Sequence, residues 1–175
     1  MKLFLITGLF LLSTMTFSQF SKEKNYLGPC LGLSFLGSTP EIGANYEYSI
    51  DDNWGLGGIF RYFSYGEDIA PWGKYSYNYI FLGAQGSYHF KLDNPKFDPF
   101  VGLILGFDSY TNSWEYWEGY KNQYFHPGSS GSGGFYLSAH GTFRYWIKSN
   151  LGLGVRINFG NHGYGALDFG VDWKF

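Results

Sequence analysis

The 175-residue sequence has one cysteine, six prolines, two methionines and little charge of either sign. Each scarcity excludes something. The lone Cys30 rules out an internal disulfide framework, so stability has to come from backbone pairing and packing. Charged residues are 15% of the chain and the formal net charge is −2, which leaves no basic surface to meet nucleic-acid phosphates. Beyond the first 18 residues no apolar run approaches the roughly 20 residues of a membrane-spanning helix. His89, His126 and His162 fall in separate segments without ligand spacing, so neither a metal nor another cofactor is expected. Gly152-Leu153-Gly154 and the glycine-rich stretch 128–134 open no helical pattern, which excludes a phosphate loop.

What the chain does have is 26 glycines, 18 phenylalanines, 16 tyrosines and 6 tryptophans. Disordered segments are poor in aromatics, so this glycine content does not signal disorder. The N-terminus reads as a secretory signal peptide: Met1-Lys2, an apolar run from Leu3 to Leu12, then a small, polar stretch from Ser13 to Gln19. Thr16 and Ser18 suit the −3 and −1 positions before a cleavage site, which predicts a signal peptide over 1–18 and one mature domain over 19–175. Lys22-Glu23-Lys24 separates Cys30 from the apolar run, which argues against lipidation there.

The strongest pattern is alternation. In the last nine residues Leu167, Phe169, Val171, Trp173 and Phe175 share one face and Asp168, Gly170, Asp172 and Lys174 the other, as successive strand side chains require. About eight such segments run along the chain. Their apolar faces carry residues such as Leu31, Leu33, Ile42, Tyr46, Leu56, Phe60, Leu82, Leu103, Leu105, Leu137, Leu153 and Val155, with no charge among them. The opposite faces collect Glu41, Glu47, Arg61, His89, Lys91, Asp108, His140, Arg144, Lys148, Arg156, Asp168, Asp172 and Lys174. Glycine concentrates on that charged face, as a narrow lumen crowded by long side chains needs. Alternation alone fits a soluble barrel equally well. Glycine placement, aromatics near strand ends and connection length favour a transmembrane barrel. Short turns are expected at Asp51-Asp52-Asn53, 92–96 and 148–150. Long polar-aromatic loops are expected over 64–78 and 110–134, with short ones at 37–40 and 161–165.

With both termini on one side, all three short turns share that side. This whole-chain pattern resembles the small bacterial outer-membrane β-barrels, of the kind represented by the barrel domain of OmpA. The resemblance implies an all-β, antiparallel up-and-down transmembrane barrel of about eight strands, located in the outer membrane and preceded by a cleaved signal peptide. It also implies outer-membrane lipid and the barrel-assembly machinery as partners, with Trp173 and Phe175 resembling the assembly signal of the closing strand. OmpA carries a wall-binding domain after its barrel, whereas this chain stops at Phe175. Pro29, which lacks an amide hydrogen, predicts weak pairing in the first strand.

The reading reached is a monomeric, non-enzymatic barrel with a structural or adhesive role and a lumen closed by ion pairs. Glu47, Arg61, Arg144, Arg156, Asp168 and Asp172 form the expected network, with Arg156 and Asp168 level on adjacent strands and Glu47 and Arg61 adding opposite charge near mid-wall. Trp114, Tyr116, Trp117, Tyr120, Tyr124 and Phe125, beside Glu115 and Glu118, either extend the upper membrane belt or form an extracellular binding surface for an unknown ligand. His140-Gly141-Thr142 resembles the His-x-Ser of small-barrel lipid A deacylases, but threonine replaces serine and the expected register turns both side chains into the lumen. A lipid-modifying enzyme, a small porin and a secreted soluble binding module are the alternatives.

Overall fold

The alternating segments close on themselves. In the computed structural model, which describes residues 20–118, 130–161 and 163–175, eight antiparallel strands form a closed barrel in chain order. They are β1 (Asn25–Ser34), β2 (Thr39–Ser49), β3 (Trp54–Ile69), β4 (Gly73–His89), β5 (Phe97–Tyr116), β6 (Gly131–Lys148), β7 (Leu151–Gly160) and β8 (Gly165–Lys174). Because β8 pairs with β1, the barrel wall closes, while beyond it residues 64–69 of β3 and 131–137 of β6 pair on one side only among the described residues. The register between β1 and β8 skips Gly28 and Pro29, where the missing proline amide interrupts the ladder. The expected signal peptide over 1–18, together with Tyr120, Tyr124, Phe125, His126 and His162, lies outside the described residues.

Turn chemistry fixes the rim that carries both ends of the described barrel. Asp51 Oδ1 accepts the backbone N–H of Asn53 (2.7 Å) and of Trp54 (2.8 Å), folding the β2–β3 turn. Asn94 does the same for the β4–β5 turn, where its Oδ1 accepts from Lys96 N (3.1 Å). At this rim the barrel also closes, through Asn25 N to Phe175 O (2.9 Å) and Phe175 N to Asn25 O (3.0 Å).

The two faces are arranged inside-out compared with a soluble protein. Leu31, Leu82, Leu103, Leu105, Phe107 and Phe169 each point outward and are more than half exposed. Glu41, Glu47, Arg61, His89, Asp98, Arg144 and Asp168 point inward, each at most 2% exposed. Lys91 and Lys148, expected on the inner face, are exposed instead, because β4 ends at His89 and β6 at Lys148, which puts both at the rim.

The strands differ in length for a reason visible on their outer faces. Along β5 the outward residues are apolar from Phe97 to Phe107 and then become Ser109, Thr111, Ser113 and Glu115. Ten residue steps at roughly 3.4 Å, tilted by roughly 40°, span about 26 Å along the barrel axis, close to the roughly 25 Å apolar band of an outer-membrane barrel. Rings mark both borders of the belt: Tyr48, Trp54, Phe90, Tyr145 and Trp173 at one, Phe35, Phe107, Phe135 and Phe159 at the other. Beyond the second border β3 to β6 continue as paired strand, with Ser64 opposite Asn78 and Ser76 opposite Ser113. Of the long loops expected over 64–78 and 110–134, the first is largely strand, and 110–116 and 131–134 of the second belong to β5 and β6, while 119–129 lie outside the described residues. The aromatic and polar residues of these strand extensions alternate like those lower down, and their polar outer face hid that continuity in the sequence.

Candidate functional site

Inside the barrel a charged layer is enclosed by rings at both ends. Nearest the termini, Phe20, Tyr26 and Trp146 pack together in the lumen, and Phe20 stacks on His89 with ring centres 3.5 Å apart. At the other end Ile59, Phe63, Phe81, Ile104, Tyr136, Tyr164 and Ala166 form a second buried cluster. Tyr164 joins this cluster to the charges by donating its hydroxyl to Glu41, 3.0 and 3.2 Å from the two carboxylate oxygens.

Between the clusters lie two centres of ion pairing. In the first, the Arg144 guanidinium donates to Asp98 Oδ2 (2.9 Å) and Asp172 Oδ2 (3.0 Å) and stands 3.8 Å from Glu47 Oε2. His89 bridges the same carboxylates, with Nδ1 at 2.6 Å from Asp98 and Nε2 at 3.2 Å from Glu47. The rings of Tyr26, Phe100 and Trp146 surround Arg144 at 5.2, 4.8 and 5.3 Å, close enough for cation–π attraction. In the second centre Arg61 donates through Nε (3.2 Å) and Nη2 (3.0 Å) to Asp168 Oδ2 and lies 3.4 Å from Glu41. Asn158 adds a third donor to Asp168 Oδ2 at 3.0 Å.

Glycine supplies the room. A Cβ on Gly28 would run into Asp172, on Gly32 into Asp168, on Gly43 into Arg61, on Gly55 into Glu47, and on Gly102 into His140. Each long polar side chain thus lies across a bare backbone of the neighbouring strand. The space left between Cys30, Asn45, Thr142, Arg156, Asp168 and Asp172 is ≈ 10 Å³, on the order of a single water.

No family model matches the chain, and no curated protein matches it in sequence. Solved structures do match. The N-terminal β-barrel domain of Pseudomonas aeruginosa OprF superposes with a TM-score of 0.63 at 13% identity, covering 88% of this chain and 98% of that one. Pseudomonas aeruginosa OprG gives 0.61 at 13% identity, covering 89% and 97% of the two chains. Ail, the attachment invasion locus protein of Yersinia pestis, gives 0.58 at 13% identity, covering 88% and 99%. The chain has the fold of the small outer-membrane β-barrels.

Within this barrel the pairing differs from that expected. Arg156 and Asp168 do stand opposite each other in the register, but no ion pair joins them. Arg156 instead donates to Asn45 Oδ1 (2.7 Å), Gln85 Oε1 (3.2 Å) and Thr142 Oγ1 (3.1 Å). Asp168 is taken by Arg61, which reaches it across the lumen from β3. Glu47 likewise faces His89 and Arg144 rather than Arg61. The physical reason is length: guanidinium groups span a barrel this narrow, so a partner across the lumen competes with a neighbour on the wall.

Asp98, which joins His89 to Arg144, was not in the expected network because it lies beside Pro99, between the expected turn at 92–96 and the clear alternation that follows. Its parity with Gly102, Gly106 and Asp108 on β5 is the signal that would have found it. The neutral groups Asn45, Gln85 and Asn158 gave no charge signal at all.

His140 Nδ1 lies 3.1 Å from Thr142 Oγ1, both side chains buried in the lumen. The threonine oxygen already accepts from Arg156, no carboxylate pairs with the imidazole among the described residues, and Nε2 faces the bare backbone of Gly102. A nucleophile needs a base, an orienting group and access to substrate, and this pair has only the first. Trp114 and Tyr116 belong to β5, with Trp114 packed edge-on against Tyr75 at 4.6 Å, while Trp117 sits exposed just past the strand end.

Proposed function

We propose that the protein is an integral outer-membrane barrel without a channel, whose outer end serves a binding or adhesive role. The single observation that carries this reading is the inside-out distribution of polarity: a continuous apolar outer belt around a lumen filled by buried charges, with Arg61 and Arg144 ion-paired across it. Soluble monomers rarely expose contiguous apolar patches above a few hundred Å², whereas a bilayer requires such a belt. Buried ring clusters lie at both ends of the charged layer, which favours a sealed lumen over a porin. In this reading residues 1–18 are removed on export and 19–175 assemble as a monomer. The assembly machinery reads Trp173 and Phe175 in the closing strand, and lipid contacts the belt. Neither cofactor nor nucleic acid has a role.

Fractionation with outer membranes and a heat-shifted gel mobility are the expected results, because closed barrels resist detergent unfolding until heated. Planar-bilayer recordings are expected to show no steady conductance. A large reproducible open state from the folded monomer would overturn the sealed lumen, and recovery in the soluble fraction would overturn the membrane location.

A further inference from the structure

Above the outer ring cluster, the inner face of the projecting strands forms a cleft of ≈ 600 Å³ lined by Tyr77, Tyr79, Asp108, Tyr110, Asn112 and Ser132, with Gly133 and Gly134 beside them. Its volume falls within the roughly 300–1,000 Å³ of small-molecule sites. Tyr79 forms the floor: it stacks on Phe63 at 4.9 Å and on Tyr110 at 5.3 Å, so the cleft ends on the cluster that closes the lumen. Tyr65 extends the row by stacking on Tyr77 at 4.9 Å. On the far wall Asp108 Oδ1 accepts the backbone N–H of Gly134 at 2.8 Å, holding β5 and β6 in place.

We propose that this cleft binds a neutral saccharide. The inference rests on the reading that this end of the barrel faces outside the cell. Four ligand classes meet the same walls differently. Among the described residues Asp108 is the one carboxylate lining the cleft and no cation lines it, so a phosphate or sulfate ester finds no counter-charge there. An extended peptide adds to a free strand edge, and β4 and β5, which carry the rings of the cleft, are paired on both sides there. A wholly apolar ligand would cover the Asn112 amide and the Ser132 hydroxyl and return no hydrogen bond. A pyranose has a flat C–H face for the phenol rings and a rim of hydroxyls for the carboxylate, amide and hydroxyl groups. The glycines remove side chains where its edge would approach the backbone.

The test uses the folded protein in detergent micelles on immobilised glycans, with neutral hexose and N-acetylhexosamine oligomers beside sulfated and phosphorylated ones. Retention on a neutral glycan is expected, weakened about tenfold by Tyr110→Ala and by Asn112→Ala, with the heat-shifted mobility intact. Tyr77→Ala is the second variant if Asn112→Ala disturbs folding. Competition by phosphate-free core oligosaccharide of lipopolysaccharide would assign the site to the bacterium's own surface sugar, and lack of competition to a foreign glycan; both uphold it. Preference for anionic glycans, retention indifferent to these substitutions, or no neutral glycan retained would overturn it. Failure to fractionate with outer membranes would instead overturn the membrane reading, leaving binding in micelles as a separate result.

Discussion

Asp168→Ala separates the cross-lumen pairing from the neighbour-strand pairing that the register suggests. The wild-type carboxylate accepts from Arg61 and Asn158 and is 2% exposed, so its loss leaves donors buried where water barely reaches. Breaking a buried pair costs about 3–5 kcal/mol. Arg61 retains Glu41 at 3.4 Å and donates to the backbone oxygens of Ala44 and Phe60, which places the expected loss at the lower end, about 3 kcal/mol. Adding Arg61→Met removes the stranded cation and should recover about half of that loss, because replacing both partners of a buried pair with apolar groups is often near neutral. Adding Arg156→Met instead should recover nothing, since Arg156 bonds to Asn45, Gln85 and Thr142 rather than to Asp168. Urea unfolding in lipid vesicles, followed by tryptophan fluorescence, measures all four proteins. Recovery by Arg156→Met and not by Arg61→Met would refute the pairing described here. A loss below about 1 kcal/mol for Asp168→Ala would refute the dry lumen itself.

The remaining predictions test the belt, the closing strand and one turn. Leu105→Arg or Leu153→Arg, both on the apolar outer face, should cost about 2–4 kcal/mol, whereas Thr111→Arg on the same face of β5 but past the border should cost close to nothing in the same unfolding assay. Phe175→Glu should lower the yield of heat-resistant barrel in outer membranes while export continues, and normal yield would remove the closing strand from the assembly account. Asp51, held below its ordinary value by the N–H groups of Asn53 and Trp54, should titrate by carbon NMR with a midpoint under that of a free aspartate, roughly 3.9. Its folded-state value is depressed, so the turn is fully supported above the unfolded value and loses that support as pH falls through the lower one.

Faces were legible in the sequence because a strand's period is two, and a shift by one residue would have sent Leu105 and Asp108 to the wrong sides together. Chain order was legible for a similar reason: short turns such as Asp51-Asp52-Asn53 join neighbouring antiparallel strands and no others. The projecting strands were not, because period two was read with apolarity as its marker, and past Phe107 the outward positions turn to Ser109, Thr111 and Ser113 while the rings move inside. In the membrane reading the surroundings change there from lipid to water, so the same backbone carries an inverted pattern. An alternation of Tyr75, Tyr77 and Tyr79 against Ser76 and Asn78 is as regular as any lower in the barrel.

The partner of each lumen charge was beyond the reach of any pattern along the chain. Parity gives the side of the wall and register gives the height, but a third coordinate, the azimuth across the barrel, decides who meets whom. Arg61 on β3 and Asp168 on β8 are separated by two strands through the wall and by 3.0 Å through the interior. What selects that partner is the floor beneath each side chain: Gly43 lets Arg61 lie flat along β2, and Gly32 lets Asp168 lean over β1 to meet it. The glycines that first identified the charged face therefore also steer its pairing. Gly32→Ala should act on the Arg61–Asp168 pair although neither partner is changed, and its cost should shrink in the Asp168→Ala background. Equal cost in both backgrounds, measured by the same urea unfolding, would show that the glycine serves the backbone and not the pair.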